Sequence, residues 1–302
     1  MLALGTRASA FVVEGVERFA VDPRMRAHFV LGERWGLSAG IGLYSQPFIG
    51  QKVADGGLFN YQPASGWLVL PDQISQNFDP TLFFFELDLR ILRALQATAG
   101  ASLQLDRGFS IETHGFARDL NDPHRPANTT SAGEIAYGGE FILRKRLSHH
   151  LYGWVAYTLM WAKREIDSEG STSLGRSAYD QRHNLVVVLS TKLPRGWRIG
   201  GRFRLSSGLP YTPVIGATGL ASGPAPIFGA PLSATFPVFH QLDIRVDKRW
   251  VRNRVIITSY LDIQNIYNQQ NTEAFIYANS YRRRSGGLGL PILPLLGVRI
   301  DI

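Results

Sequence analysis

The sequence WRIGGRFRLSS, residues 197–207, decides the fold class of this chain. Its alternate residues form two sets of opposite character. The first set is apolar and consists of Trp197, Ile199, Gly201, Phe203 and Leu205. The second set carries three arginines, Arg198, Arg202 and Arg204. Because successive side chains of a β-strand leave on opposite faces, the segment predicts a strand with one apolar and one strongly basic face.

Two architectures contain strands of this kind. In a soluble sandwich the apolar face packs into a core, whereas in a membrane barrel it faces lipid and the polar face lines a wet lumen. The chain has 302 residues, of which 45% are hydrophobic, and a mean hydropathy of −0.05, which indicates an ordered protein. Since it contains no apolar run of about 18 residues, no transmembrane helix is expected.

The net charge of +8 raises nucleic-acid binding as one explanation. The arginines, however, are spread over many segments at alternate positions, and they are not gathered on one helix or tail. We therefore expect no nucleic-acid partner. The chain has no cysteine, which fits both an exported protein without disulfides and many cytosolic proteins.

The same alternation recurs along the chain and predicts about twelve strands. Their spans are 3–14, 20–31, 35–45, 95–105, 108–119, 136–146, 150–163, 183–194, 197–207, 238–250, 255–267 and 293–302. Most of these segments are longer than the ~5–6 residues typical of soluble sheets. Their length suits a strand that crosses a membrane at a tilt.

The connections between these strands are of two lengths. Tight connections are predicted at 32–34, 106–108, 147–150, 194–196 and 251–254. Long polar or Gly/Pro-rich loops are predicted at 46–94, 120–135, 164–182, 208–237 and 268–292. Since the two lengths alternate from Gly32 onward, an up-and-down sheet has its tight turns at one rim and its long loops at the other. The first connection, 15–19, is short where a long loop is due.

This asymmetry is typical of outer-membrane barrels, which have short periplasmic turns and long extracellular loops. We therefore predict an all-β protein, an antiparallel up-and-down transmembrane β-barrel of about twelve strands. It forms one domain over residues 1–302 and lies in the bacterial outer membrane. Within the loop 46–94, the segment TLFFFELDLRIL (81–92) is compatible with an extra strand, a loop hairpin or a short helix.

Aromatic residues are predicted to form two interfacial girdles. Beside the tight turns lie Trp35, Trp154, Trp197 and Trp250. Near the long loops lie Tyr44, Trp161, Tyr211 and Tyr267. Two bands of Trp and Tyr, one strand length apart, match the two membrane interfaces.

Sequence motifs for catalysis are absent. There is no Gly-x-Ser-x-Gly, no phosphate-binding loop and no zinc-protease motif. His149 and His150 are adjacent and would point to opposite faces of a strand, so a solvated turn explains them better than a metal site. We therefore expect neither an enzyme nor a cofactor.

Several phrases in the C-terminal half resemble a known family. They are YDQRHNL (179–185), LPRGW (193–197), SGLPYTP (207–213), HQLDIRVDK (240–248), YLDIQNIYN (260–268) and GLPILPLLGVRIDI (289–302). Weaker matches lie at 20–31, 35–48 and 136–159. As an ordered set, they resemble the C-terminal part of the β-barrel of TonB-dependent outer-membrane receptors.

This resemblance implies a 22-stranded barrel filled by an N-terminal plug, on which an inner-membrane energy-transducing complex pulls. It implies uptake of scarce nutrients such as ferric siderophores, and assembly by the barrel-assembly machinery. The sequence differs in having about twelve predicted strands, no segment resembling a plug, and Ile302 where the family ends in an aromatic residue. We therefore expect a partial barrel from a longer receptor.

In this interpretation the apolar set of residues 197–205 faces lipid. Predicted lumen-facing residues along a substrate path are Arg198, Arg202, Arg204, Asp243, Arg245, Asp262 and Gln264. The three arginines of 197–207 are expected to pair with Asp243, Asp247 or Asp262, or with acidic groups of a plug. Predicted outer-loop contacts are Arg282, Arg283 and Arg284.

Three functional hypotheses follow from these observations. The first is the barrel of a TonB-dependent receptor that imports a small molecule through the outer-membrane lipid. The second is a passive, plug-free porin of about twelve strands, which requires this chain to close on itself. The third is a soluble binding module with a sandwich fold.

Overall fold

The structure is a computed structural model of the 302-residue chain. It describes residues 1–13, 16–52, 86–121, 133–148, 150–168, 171–220, 223–278, 281 and 284–301. Within these ranges no helix has the length and apolar character needed to cross a membrane.

The described residues form β-strands joined by turns, with two short 3₁₀ turns at Asp106–Gly108 and Pro194–Gly196. In chain order the strands are β1 (Leu2–Val13), β2 (Val16–Leu31), β3 (Trp35–Lys52), β4 (Glu86–Gln104), β5 (Phe109–Asn121), β6 (Gly133–Ser148), β7 (Leu151–Ser168), β8 (Ser171–Arg176), β9 (His183–Leu193), β10 (Trp197–Ser206), β11 (Pro210–Tyr211), β12 (Val214–Leu220), β13 (Gly223–Phe228), β14 (Ala234–Thr235), β15 (Phe239–Arg252), β16 (Val255–Gln264), β17 (Thr272–Tyr277), β18 (Arg284–Leu288) and β19 (Leu293–Asp301).

Twelve of these strands form one antiparallel sheet in the order β1-β2-β3-β4-β5-β6-β7-β9-β10-β15-β16-β19, with β8 paired to β7. Each main strand therefore neighbours the next main strand along the chain, which is the up-and-down topology that was predicted. All twelve predicted strands are present, with ends that differ by a few residues except at β3 and β4. The fold prediction is confirmed.

Several predicted loops contain more strand than expected. β3 and β4 remain paired from Trp35↔Leu103 to Lys52↔Glu86, well into the predicted loop 46–94. Residues 86–92 of the undecided segment 81–92 therefore belong to β4, while 81–85 lie outside the described residues. The loops 164–182, 208–237 and 268–292 also carry hairpins of their own, listed here by their pairs: β7–β8, β12–β13, β11–β14 and β17–β18. A strand that already has a partner can continue beyond the predicted end because every further backbone group that it pairs is satisfied.

The register gives the main sheet one continuous apolar face. Around β10 this face joins Phe203 to Val187 on β9 and to Leu242 on β15. It is solvent-exposed, since Phe29, Val298 and Leu296 are 57%, 67% and 83% exposed. We call it the apolar face.

The opposite, polar face buries charge instead. Asp22 is 1% exposed, and its carboxylate accepts hydrogen bonds from the hydroxyl and backbone N–H of Ser45 at 2.7 and 3.2 Å. Among the described residues, the buried hydrophobic side chains are only Ala20, Ile91, Ala94, Ala162 and Leu232. Exposed apolar and buried polar side chains are the reverse of a soluble core, and they indicate a lipid-facing sheet. The sandwich hypothesis requires a second sheet on the apolar face, and the described residues provide none.

The register also corrects two of the predicted girdle positions. Trp35, Trp197 and Trp250 lie on the apolar face near the tight turns, and Trp161 stacks on Tyr137 at 5.7 Å near the long loops. Trp154, however, lies opposite Arg144 and Val188 on the polar face. Tyr44 also lies on that face, 4.3 Å below the guanidinium of Arg24. The face on which a side chain lies is set by the register of its strand with the neighbouring strands, and not by its distance from a turn.

The facing assignment predicts opposite results for two neighbouring substitutions in β10. Phe203→Arg places a charge on the apolar face, at a cost of about 2–4 kcal/mol near mid-bilayer, and should reduce the folded fraction in membranes. Arg202→Leu places an apolar group on the polar face and leaves Asp243 with Arg204, Gln241 and the Asn265 N–H as partners, so insertion should stay near the wild-type level. Heat-modifiable gel mobility of each variant measures insertion. Equal insertion of both variants would contradict the assignment.

Candidate functional site

The polar face of β10, β15 and β16 brings the predicted lumen-facing residues together. Arg202 lies opposite Asp243, and Arg245 lies opposite Asp262. The face continues into the structured outer loops between β10 and β15 and between β16 and β19. We call this surface, together with those two loops, the polar channel face.

Asp243 is the centre of this surface. Its carboxylate accepts hydrogen bonds from Arg202 Nη2 at 2.7 Å, Gln241 Nε2 at 2.6 Å and the backbone N–H of Asn265 at 3.0 Å. Arg204 Nη2 lies 3.8 Å from the same carboxylate. The side chain of Asp243 is 7% exposed, so its charge is held almost entirely by these protein donors. Two guanidinium groups face one carboxylate here, which leaves one positive charge in excess.

A second ion-pair cluster lies on β15 and β16. Arg245 donates two hydrogen bonds to Asp247 Oδ1, at 3.0 and 2.9 Å, and its Nη1 lies 3.7 Å from Asp262. Its guanidinium also lies 4.0 Å from the centroid of the Tyr260 ring. Asp247 and Asp262 therefore pair with Arg245 and not with the three arginines of β10, of which Arg202 and Arg204 share Asp243.

The two remaining predicted residues are less engaged. Among the described residues, neither Arg198 nor Gln264 has a side-chain hydrogen bond or ion pair. Arg198 is exposed near the tight-turn rim, opposite Asp247 in register, and Gln264 lies opposite Leu293.

Asn265 fastens the outer loop to this surface, and the sequence analysis did not identify it. It is 1% exposed and has a left-handed backbone with φ 52°. Its side chain donates to the carbonyl oxygens of Gln269 and Leu290, both at 3.0 Å, and accepts from the N–H of Gln269 at 2.8 Å. The available signal was an Asn directly after a strand, since Asn tolerates left-handed backbone and bonds neighbouring backbone groups.

Asn271 reinforces the same junction. Its amide accepts from the backbone N–H of His240 at 3.1 Å and donates to the His240 carbonyl at 3.0 Å. The loop after β16 is thereby bonded to the start of β15 as a strand would be. These contacts hold the loop at the outer end of the polar channel face.

Arg284 joins two outer loops. Its Nη1 donates to the Tyr211 hydroxyl at 2.9 Å, and its guanidinium lies 4.5 Å from the Phe275 ring centroid. Tyr211, Phe236 and Phe275 pack together, with ring centroids 4.5 to 5.1 Å apart. Of the predicted outer-loop contacts, Arg284 is thus part of a loop-to-loop cluster, while Arg282 and Arg283 lie outside the described residues.

Asp180 organises the outer loop between β8 and β9. Its carboxylate accepts from the Ala162 N–H, Arg176 Nε and Arg182 Nη2, all at 3.0 Å, and its side chain is 3% exposed. Burial alone would raise the pKa of Asp180. The backbone N–H of Ala162 and the two guanidinium groups outweigh burial and hold that pKa below its usual value.

Among the described residues, no group of three or more His, Asp or Glu side chains is placed to hold a metal ion. His150 lies exposed in a turn with φ 75°, and His149 lies outside the described residues.

Comparison with solved structures gives the fold of outer-membrane transport proteins. The closed form of the ferric-catecholate import receptor Fiu of E. coli K12 matches with a TM-score of 0.54 and 15% identity, over 93% of this chain and 35% of the receptor. Its open form gives a TM-score of 0.46 at 12% identity, over 93% of this chain and 41% of the receptor. The toluene transporter TodX of Pseudomonas putida gives 0.38 at 11% identity, over 86% of this chain and 72% of TodX.

The first of these similarities shows the fold, and the chain spans about a third of the length of that receptor. No family model matches the sequence, and no curated protein matches it.

Substitution of Asn265 tests its role as a fastener. Asn265→Ala removes three buried hydrogen bonds and the residue type that suits φ 52°, so we expect a loss of about 2–4 kcal/mol in the local stability of the loop. Limited proteolysis should then cleave within 266–292 faster than in wild type. Gln264→Ala is the matched control, and an equal acceleration in both variants would contradict the assignment.

Acidification tests the Asp180 junction. Because the folded-state pKa is lowered, the carboxylate stabilises the loop above its ordinary pKa of ~3.9, and this contribution is lost as pH falls through the folded value. Pepsin cleavage within 171–182 should rise steeply at low pH in wild type. Asp180→Asn should be cleaved readily at every pH, without that step. A wild-type profile without the step would contradict the assignment.

Proposed function

We propose that this chain, whose fold is that of part of a TonB-dependent receptor barrel, forms the wall of an outer-membrane receptor that imports a scarce nutrient such as a ferric siderophore. The observation that carries this proposal is the excess of arginine on the polar channel face, directly below ordered outer loops. A surface of this charge concentrates anionic solutes at the entrance of a barrel.

Arg204 is the residue best suited to meet such a solute. Its guanidinium lies 3.8 Å from Asp243, whereas Arg202 already holds that carboxylate at 2.7 Å. The Arg204 side chain is 37% exposed. Arg202 therefore fixes Asp243, and Arg204 keeps positive charge and donor capacity for an anionic ligand.

The outer loops supply the second part of the proposed site. The Tyr211, Phe236 and Phe275 rings, together with Arg284, present aromatic faces and a cation at the outer rim. A ferric catecholate, which is the cargo in the name of the Fiu receptor, combines negative charge with aromatic rings. The loops supply aromatic rings and Arg204 supplies positive charge, so both chemical features are present on the polar channel face.

The remaining properties of the proposal come from the receptor family. Uptake would draw energy from the inner-membrane TonB complex through a plug outside these 302 residues. The barrel would be inserted in outer-membrane lipid by the barrel-assembly machinery, with a small-molecule substrate and no nucleic acid. The chain would transport its substrate without chemical conversion.

The alternative is a passive porin of about twelve strands. That function requires β1 to pair with β19, and in the structure each of these two strands is paired on one side only, to β2 and β16. The open sheet favours a wall that is completed by further strands over a pore that closes by itself.

Uptake of radiolabelled iron as a ferric catecholate, in cells that produce the full-length protein, tests the proposal. Uptake should depend on the protein and stop when an uncoupler dissipates the proton gradient. Arg204→Gln should weaken ligand binding about tenfold, since a hydrogen bond to a charged group contributes about 1.5–3 kcal/mol.

Arg34→Gln is the matched control, because Arg34 is an exposed arginine at the opposite rim that pairs with Asp106. It should leave both binding and uptake unchanged. Uptake that persists in the presence of uncoupler would support the porin instead. Equal binding by the Arg204 variant and wild type would overturn the assignment of the polar channel face.

A further inference from the structure

Two tight turns at the short-turn rim have the same conformation. In Asp106–Gly108 the central Arg107 has φ 57° and ψ 23°, and in Pro194–Gly196 the central Arg195 has φ 60° and ψ 25°. In each turn a glycine follows with φ 77° or 78°. At Gly196 a Cβ atom would also lie 2.3 Å from the Arg249 carbonyl oxygen, so only glycine fits.

A lysine from the next strand caps each of these turns. Lys145 lies opposite Phe109, and Lys248 lies opposite Trp197, both on the apolar face. The Nζ of Lys145 donates a hydrogen bond to the carbonyl oxygen of Arg107, and the Nζ of Lys248 donates one to the carbonyl oxygen of Arg195. In both cases the ammonium lies 5.0 Å from the centroid of the opposite ring. The same contacts occur twice, in turns that differ in sequence.

The capped turns retain donor groups that nothing in the described chain uses. The guanidinium groups of Arg107, Arg195 and Arg252 are exposed, and among the described residues they have no hydrogen bond or ion pair. An ammonium has three donors. Within those same residues Lys248 uses one of them, whereas Lys145 uses two, since it also donates to the Ser148 hydroxyl. Arg34 differs, since it is paired with Asp106 at 3.1 Å.

Apolar side chains lie directly beyond these cations. On the apolar face Trp197, Trp250 and Ile199 are 44%, 47% and 40% exposed. Lys248 lies between the two tryptophans, 5.0 and 5.7 Å from their ring centroids. The surface therefore offers free positive charge at the rim and exposed hydrocarbon next to it, in the order in which a phospholipid presents its phosphate and its acyl chains.

We propose that the two lysine-capped turns are binding sites for the headgroups of anionic phospholipids in the inner leaflet of the outer membrane. The phosphate is bound by the free arginine of the turn and by the capping lysine, and the acyl chains lie along the apolar face. This inference rests on the proposed function, because short turns at the periplasmic side place this rim at the inner leaflet.

Native mass spectrometry of the full-length protein tests the inference. The protein is released from micelles that contain equal amounts of phosphatidylglycerol and phosphatidylcholine. Wild type should retain phosphatidylglycerol preferentially. The double variant Arg107→Gln/Arg195→Gln should retain it more weakly, by about fivefold for each arginine, which corresponds to about 1 kcal/mol for a basic residue at an anionic surface. Arg299→Gln, at the same rim but outside both turns and paired with Asp301 at 3.1 Å, should behave as wild type.

The single variants Arg107→Gln and Arg195→Gln keep the test independent of the folding of the double variant. Each should lower retention of phosphatidylglycerol by about fivefold. Equal retention of the two lipids by wild type, or a loss in Arg299→Gln equal to that in the turn variants, would overturn the inference. The inference would also be overturned if wild type retained lipid A in place of phosphatidylglycerol and the same variants lost that lipid A. If heat-modifiable mobility shows that the protein does not insert at all, the proposed membrane function fails with it.

Discussion

The structure depends on one constraint, the pairing of every main-chain polar group in a strand that has lipid on one side. Hydrocarbon offers no hydrogen bonds, so each strand must obtain all of them from its two neighbours. The antiparallel ladder from β1 to β19 provides these bonds wherever neighbouring strands are paired. It leaves open the two outer edges and the strand ends at which pairing stops, as between β2 and β3 beyond Arg24↔Gly42. The alternation of side chains follows from the same pairing, because a fixed register gives each strand one lipid-facing and one wet face.

The polar face can hold charge because it forms ion pairs across neighbouring strands. Asp243 shows how this works, since it is buried and accepts from Arg202, Gln241 and the backbone of Asn265. A lone buried carboxylate would be costly, whereas one with these donors is stable. The same carboxylate connects β10, β15 and the loop after β16. Charge pairing thereby positions the loop as well as the wall, and Arg204 remains as a surplus cation beside Asp243.

The two rims of the sheet differ in their chemistry. At the long-loop rim the charged and amide side chains bond inward, as Asp180 and Asn265 do, and they hold the loops in place. At the short-turn rim two turns, Asp106–Gly108 and Pro194–Gly196, are closed by backbone geometry and a lysine cap. Among the described residues, Arg107, Arg195 and Arg252 at this rim have no hydrogen bond or ion pair. The side chains at the long-loop rim therefore hold the loops in place, whereas the short-turn rim carries arginines without a partner among the described residues. The two rims of a membrane-spanning barrel face different aqueous compartments, so a difference in their chemistry is expected.

The sequence by itself determined the strands, their order and the two faces of β10. Residues 197–207 predicted the apolar and basic faces correctly because a period of two is a local property of one strand. The resemblance in the C-terminal half indicated the receptor barrel, whose fold the structure shares. Strand ends were less predictable, since β3 and β4 continue into a predicted loop only because they pair with each other.

Tertiary structure decided which residues meet. Trp154 and Tyr44 were predicted as girdle residues, yet the register turns both to the polar face. Asp247 and Asp262 bind Arg245 rather than an arginine of β10. Asp247 lies two residues from Arg245 on the same face of β15, and Asp262 lies opposite Arg245 on β16. Asn265 was overlooked, since its three bonds reach backbone groups up to 25 residues away. A periodic pattern specifies the face of a residue within its own strand, but contacts between strands depend on a register that no single segment contains.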